Sequence, residues 1–269
     1  MLIYEPKGKA REYSPLALNI YKGCDHGCKY CYVQYIEFTS VENRKNVSER
    51  SGIIESLAKE LSKISITKQV LLCFTGDPYC QANDKFKLTR KIIIMLRKAG
   101  IPVSILSKGG FRILQDIDIL SNEDKIKIGM TLTFDNDKDS IKTEPGASMP
   151  QERIDTLSTL HANGIKTWVS IEPVIIPSQS MNMIERSLPF VDEYMIGKWN
   201  HDIDAKNINW KSFVTDAIRV MRRNNKPYYI KEDLRPFIPP ELYDPEDMIL
   251  DKFAMTANPK KKLRQESLL

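Results

Sequence analysis

No stretch of the 269 residues approaches the roughly 18 consecutive apolar positions that a membrane-spanning helix requires. The opening residues, with Glu5, Lys7, Lys9 and Arg11, carry no apolar core of the signal-peptide kind. The expectation is a cytoplasmic protein with no membrane partner. Charge of one sign is lacking as well: 40 basic against 35 acidic residues leave +5. That balance permits a nucleic-acid or phosphorylated partner without arguing for one, because strong footprints are clustered and usually lift the pI above about 9. There is no low-complexity segment and no repeat beyond an alternation of short elements. What remains, 42% hydrophobic and 28% charged residues, is the profile of an ordinary globular protein.

Cysteine is scarce at five residues, yet Cys24, Cys28 and Cys31 fall together at the spacing C-x3-C-x2-C. In a reducing compartment such a cluster means metal rather than disulfide. A structural zinc wants four closed ligands, and His26, Cys73 or Cys80 is available as the fourth, so zinc stays open on the residues alone. A [4Fe-4S] cluster is usually held by cysteine on all four irons, and a loop offering three leaves one iron for a group that is not protein. Gly23 and Gly27 let the backbone wrap tightly around a bulky cluster at positive φ. Tyr30 stands just before the last cysteine.

Taken in order, apolar runs at 16–21, 70–75, 103–106, 127–134, 166–171, 193–196 and 227–230 read as seven strands. Helical spacing at 51–62, 88–99, 112–120, 150–162, 183–188 and 210–223 separates them. Strands alternating with helices imply right-handed crossovers in a parallel sheet. Residues capable of chemistry follow nearly every strand. A barrel collects such residues on one rim, whereas an open doubly wound sheet uses only those near its switch point. The expected fold is therefore α/β, a partial (β/α)6-type TIM barrel of parallel strands over residues 1–232. A Pro-rich C-terminal extension and a basic tail, Pro259-Lys260-Lys261-Lys262-Leu263-Arg264, fill 233–269.

Several motifs in order then carry a resemblance over nearly all of residues 17–198: the cysteine loop, Thr75-Gly76-Asp77-Pro78-Tyr79, Ser107-Lys108, Thr131-Leu132-Thr133-Phe134-Asp135, Glu144-Pro145-Gly146-Ala147 and Glu172-Pro173. Together they resemble the radical S-adenosylmethionine (SAM) enzymes, and within these the branch related to spore photoproduct lyase.

The resemblance implies that Cys24, Cys28 and Cys31 bind three irons of a [4Fe-4S] cluster and that SAM occupies the fourth. Tyr30 would lie beside the adenine. Thr75-Gly76-Asp77 stands where the family has a Gly-Gly-Glu-like turn toward the cofactor's amino group, with Thr75 departing from the first glycine. Thr131 and Thr133, on one face of a strand by its period of two, are candidates for the ribose or methionine end. Lys108 and Arg153 are candidates for the cofactor carboxylate, Glu144 and Glu172 for its amino or hydroxyl groups; pairing of these ions with one another is an equal alternative.

His26 reads as an exposed loop residue and Cys73 as an inert core thiol, while Cys80, following Pro78-Tyr79, is a candidate hydrogen donor to a substrate radical. A one-electron reductant such as flavodoxin or ferredoxin is the implied partner. Three functions follow as alternatives: a radical SAM enzyme acting on a nucleic acid, nucleotide or related substrate; one acting on a peptide or small metabolite; and a non-enzymatic iron–sulfur or zinc protein.

Overall fold

A computed structural model describes residues 1–121, 123–257 and 268; the basic run Pro259-Lys260-Lys261-Lys262-Leu263-Arg264 lies outside them. The described residues form ten strands: β1 (Ile3–Tyr4), β2 (Leu16–Leu18), β3 (Tyr21–Lys22), β4 (Ser48–Glu49), β5 (Val70–Leu72), β6 (Val103–Ser107), β7 (Ile126–Thr131), β8 (Lys166–Ile171), β9 (Glu193–Ile196) and β10 (Tyr228–Ile230). One sheet runs β1-β2-β5-β6-β7-β8-β9-β10, and β3 pairs with β4 apart from it. Only β1 is antiparallel in the large sheet; β2 onward gives seven parallel strands. Spatial order repeats chain order, so there is no switch point and the doubly wound alternative is excluded.

The helices between strands form because their apolar residues recur at helical spacing. Trp210–Arg223 buries Trp210, Phe213, Val214, Ala217, Ile218 and Met221 on one stripe. Asn209 caps it by accepting from Ser212 N at 3.0 Å.

Alternate strand residues divide between two cores. Val70 and Leu72 join the large layer under the helices, while Leu71 joins Trp168, Met195, Tyr229 and Phe253. Strands β5 and β10 stand five places apart, roughly 24 Å in a flat sheet at about 4.8 Å per strand. Their shared cluster therefore requires the sheet to curl, and the second core is the barrel interior.

Gly129 makes room for the largest side chain there, since a Cβ at this position would collide with the Trp168 ring. Gly129→Ala is expected to cost about 1–3 kcal/mol by overpacking. Urea unfolding checks it, and a loss within experimental error would show that the ring has another place to go.

Below Trp168, buried Lys127 donates to Glu193 Oε2 at 2.8 Å and to the carbonyl of Phe253. Lys166 holds the other Glu193 oxygen at 2.5 Å. Gln69 and Met255 exchange backbone and side-chain hydrogen bonds at 3.1 and 3.2 Å, so the stretch around Phe253 covers the N-terminal end of the barrel.

Several boundaries differ from the sequence expectation. The first parallel strand stops at Leu18 because Asn19 turns its side chain to the chain beyond β5. The 112–120 helix is a 3-10 segment, Gly110–Asp116, followed by one α-turn. The helix expected at 183–188 spans Pro177–Ser187, with proline in its first turn.

Candidate active site

The ends of the parallel strands open on one cavity of about 250 Å³, just under the roughly 300–1,000 Å³ usual for small-molecule sites. Its wall takes residues from the cysteine loop after β2, from Cys73–Asp77 after β5, and from Ser107 and Lys108 at the end of β6. Thr131 of β7, Ser170 of β8 and Glu172 just after it, Lys198–His201 after β9, Lys231 after β10 and the N-terminal Lys9, Ala10 and Tyr13 line it too.

The cysteine loop takes its shape from glycine and from four neighbouring segments. Gly23 and Gly27 sit at φ +85° and +61°, and a Cβ on Gly23 would lie 2.5 Å from the Arg44 carbonyl. That carbonyl accepts from Cys24 N at 2.7 Å. The Arg44 guanidinium, buried, bonds the Thr75 carbonyl and Glu37. Asp25 accepts from Gln81 N and Ala82 N at 3.1 and 2.9 Å. Gly146 N donates to the His26 carbonyl at 2.8 Å.

Asn19 fixes the strand-end turn by accepting from Phe74 N at 2.8 Å and Thr75 N at 3.0 Å. The close approach that Gly76 permits is to the loop itself: a Cβ there would meet the Gly23 carbonyl at 2.8 Å.

His26 is 2% exposed, which corrects its reading as an exposed loop residue. Its Nδ1 lies 3.0 Å from the Gly146 carbonyl, and its Nε2 lies 2.9 Å from Asp77 Oδ2, at ion-pair distance but off the line of a good hydrogen bond. Asp77 accepts from Ser107 Oγ and Lys108 N at 2.7 Å and from Tyr79 N at 2.8 Å. Burial works to raise its pKa, but the His26 charge and these donors outweigh it and hold the carboxyl at about 2.

Cys24, Cys28 and Cys31 all line the cavity. No set of three or more His, Cys, Asp or Glu side chains is gathered for a single ion among the described residues. Of the fourth ligands that zinc could use, His26 Nδ1 is held at the Gly146 carbonyl and its Nε2 faces Asp77, Cys73 Sγ accepts from Ile20 N at 3.4 Å, and Cys80 is fully buried off the cavity. Three thiols on a glycine-turned loop facing an open cavity fit a cluster with one iron left free. Burial pushes the Cys28 thiol up to about 12, so loading a metal there must release a proton.

The remaining expected residues divide into two groups. Lys108, Thr131, Thr75, Gly76, Asp77, Tyr30 and Glu172 line the cavity, with the Lys108 ammonium 5.5 Å from the Tyr30 ring centre. Arg153, Glu144 and Thr133 form a buried knot outside it. Arg153 donates to Glu144 Oε2 at 2.6 Å, to the Thr131 carbonyl at 3.0 Å and to the Ser148 carbonyl at 2.9 Å. Glu144 Oε1 takes Thr133 Oγ1 at 3.3 Å and the Tyr30 hydroxyl.

Glu172 is saturated too, by Lys231 at 2.5 Å, Tyr13 at 2.6 Å and Asn200 at 3.3 Å. Cys80 does not face the cavity, so the hydrogen-donor role finds no support in its position.

Sequence reasoning missed Asn19, Arg44, Tyr13 and Lys231. Asn19 and Lys231 each directly follow a parallel strand, the same signal that found Lys108. Arg44 and Tyr13 carried none.

The family model described as the Radical SAM superfamily matches residues 18–191. An uncharacterised protein of Methanocaldococcus jannaschii is 31% identical over 160 residues, 59% of this chain and 60% of that one. A protein of Pseudomonas phage M6, called a radical SAM Nalpha-GlyT isomerase, is 26% identical over 152 residues, 56% of this chain and 31% of that one. This chain thus spans at most about 60% of the length of these two relatives.

Among solved structures, spore photoproduct lyase complexed with dinucleoside spore photoproduct matches with a TM-score of 0.62 at 12% identity, covering 84% of this chain and 78% of that one. Streptococcus suis SuiB bound to S-adenosylmethionine matches at 0.59 and 14% identity, covering 86% and 53%. At such identities these are likenesses of fold.

Proposed function

Because this chain belongs to the radical SAM superfamily, we propose that Cys24, Cys28 and Cys31 hold a [4Fe-4S] cluster beside S-adenosylmethionine, and that the enzyme abstracts hydrogen from a nucleic acid or nucleotide. The observation that carries this reading is the convergence of three cysteines and seven strand ends on one cavity. When bound at Cys24, Cys28 and Cys31, the cluster and cosubstrate would supply one-electron reductive chemistry that yields methionine and 5′-deoxyadenosine.

The protein's own residues bind and orient. Lys108, without an acidic partner among the described residues, suits the cosubstrate's carboxylate. Tyr30, its hydroxyl tied to Glu144, presents a fixed ring for the adenine. Thr131 supplies a hydroxyl at the end of β7. Thr75-Gly76-Asp77 offers backbone groups to the amino end, while the Asp77 side chain serves the loop. Arg153, Glu144 and Thr133 act from outside the cavity by setting Tyr30 and the end of β7, and Glu172 acts by setting Tyr13 and Lys231. A one-electron donor such as flavodoxin or ferredoxin supplies the electron, in a reducing cytoplasm.

Support for the substrate class comes from the solved fold neighbour complexed with dinucleoside spore photoproduct.

Reconstituted anaerobically with iron and sulfide and reduced with dithionite, the protein is expected to release 5′-deoxyadenosine from SAM, faster with a single-stranded oligonucleotide present. Stimulation by an unstructured peptide alone moves the substrate to peptides. No release under any of these conditions returns the chain to a binding or regulatory role.

A further inference from the structure

The large sheet has two free edges, with β1 at one end and β10 at the other. The chain between β1 and β2 spans them. Gly8 turns at φ +57°, with nothing within 4 Å of the place a Cβ would occupy, and the 3-10 segment Gly8–Glu12 follows. Lys9 reaches Asn200 Oδ1, past β9, at 2.9 Å and also pairs with Asp233, past β10. Lys9, Ala10 and Tyr13 line the cavity. The segment is thus a strap over the open side of the barrel, and its ties to the β10 side run through its own side chains.

Glu12 is the most buried of those ties, at 6% exposed, and it is incomplete. Its Oε1 accepts from Glu232 N at 2.8 Å and from the Tyr229 hydroxyl at 3.1 Å. Its buried Oε2 has no hydrogen-bond donor among the described residues. A buried carboxylate oxygen without a donor costs free energy, and burial accordingly raises the pKa of Glu12. The cation beside it is Lys231, 3% exposed. The Lys231 ammonium lies 3.8 Å from Glu12 Oε2 but 2.5 Å from Glu172 Oε2, and 4.2 Å from the Tyr13 ring centre. One buried cation therefore stands between two carboxylates, one on the strap and one in the cavity, and hydrogen-bonds only the second.

We propose that Lys231 is a latch shared between the cavity and the strap. Held by Glu172, it leaves one oxygen of Glu12 free and the strap loosely seated. A group in the cavity that donates to Glu172 weakens that hold. The ammonium then needs to move only about 1 Å, from 3.8 Å to a charge-assisted hydrogen bond, to complete Glu12 and seat the strap. The latch couples what engages Glu172 inside the cavity to how tightly its open side is shut.

The test is tryptic cleavage after Lys9 in the full chain, a cut that requires the strap to leave its seat. Initial rates are read by mass spectrometry and divided by those of a free peptide of residues 5–16 with the matching sequence. Cleavage of a transiently opened segment follows the population of the open form. Glu172→Gln keeps an acceptor for Tyr13 but removes the charge that holds Lys231. The cut is then expected to slow about 5-fold, the equivalent of the about 1 kcal/mol by which a charge-assisted hydrogen bond exceeds a neutral one. Glu12→Gln is expected to speed it by a similar factor. In a Lys231→Gln background, Glu172→Gln is expected to lose its slowing effect, because the cation that carries the effect is gone. Matching circular dichroism melts show that the fold persists.

A cut that quickens in Glu172→Gln overturns the latch by showing that Glu172 only props the strap through Tyr13. An unchanged rate in Glu172→Gln or in Glu12→Gln overturns it too, as does slowing that survives without Lys231. The cofactor reading rests instead on 5′-deoxyadenosine release by the unmodified protein, so a failed latch is distinguishable from a failed enzyme.

Discussion

Cys28→Ala is expected to remove the iron–sulfur absorbance of the reconstituted protein and to bring 5′-deoxyadenosine release below detection. The reason lies in the count of ligands. Three thiols face the cavity, and the nearby alternatives are occupied, His26 Nδ1 at the Gly146 carbonyl, Asp77 by its backbone and hydroxyl donors and Glu172 by Lys231 and Tyr13, so a lost thiolate is not expected to be replaced. The loop itself should survive the change. Its turn is set by Gly27 at φ +61° and by Cys31 N donating to the Cys28 carbonyl at 3.1 Å, which are backbone features that alanine keeps.

A buried, protonated thiol behaves as a small hydrophobe. The apo-protein's melting temperature should therefore fall by only a few degrees, at about 2–4 °C per kcal/mol for a chain of this size. Cys80→Ala is the matched control, because it removes a buried thiol that lies off the cavity, and cluster and release should both persist. A Cys28→Ala protein that still loads a cluster and cleaves SAM would reject the ligand set.

Arg153→Ala is expected to destabilise the protein by about 3–5 kcal/mol, the usual cost of leaving one member of a buried ion pair alone. Arg153 is 1% exposed and Glu144 is 1% exposed. Truncation strands a carboxylate and also two carbonyls, those of Thr131 and Ser148, each about a hydrogen bond's worth of desolvation. Denaturant unfolding measures the loss.

The same variant separates two roles for this residue. If Arg153 only supports the end of β7 and Tyr30, Arg153→Lys recovers part of the stability, and the apparent SAM affinity recovers with it. A folded, stable Arg153→Ala protein whose SAM affinity alone collapses would mean direct contact with the cofactor. The knot would then have to open when SAM binds.

Much of this was legible in the sequence for physical reasons. Strands buried on both faces must be apolar throughout, which made Val70–Leu72 and Ile126–Thr131 visible as runs. Amphipathic spacing exposed Trp210–Arg223. Residues such as Ser107-Lys108 and Glu172 stood out because apolar strands end abruptly in polar ones. Gly23 and Gly27 were legible because a tight loop needs left-handed backbone.

What could not be read is how polar residues far apart in the chain satisfy one another. His26 looks like a solvated loop residue until Asp77 and Gly146 are folded against it. Arg44 has no local mark at all; its role exists only because the Thr75 carbonyl comes to it. Cys80 is buried and stands apart from the cavity lining, since position at a strand end does not fix which surroundings a thiol meets.

Sequence alone determined the three thiols and their spacing, the alternation that makes the sheet parallel, and the glycines of the loop, because each depends on neighbours within a few residues. Tertiary structure decided which ions face the cavity and which face each other. Lys108 remains open to a ligand, while Arg153, Glu144, Glu172 and Asp77 are claimed by protein partners, some as far away along the chain as Tyr13 is from Glu172. A charged side chain takes the nearest partner that spares it unpaired burial, and only the folded chain says which partner that is.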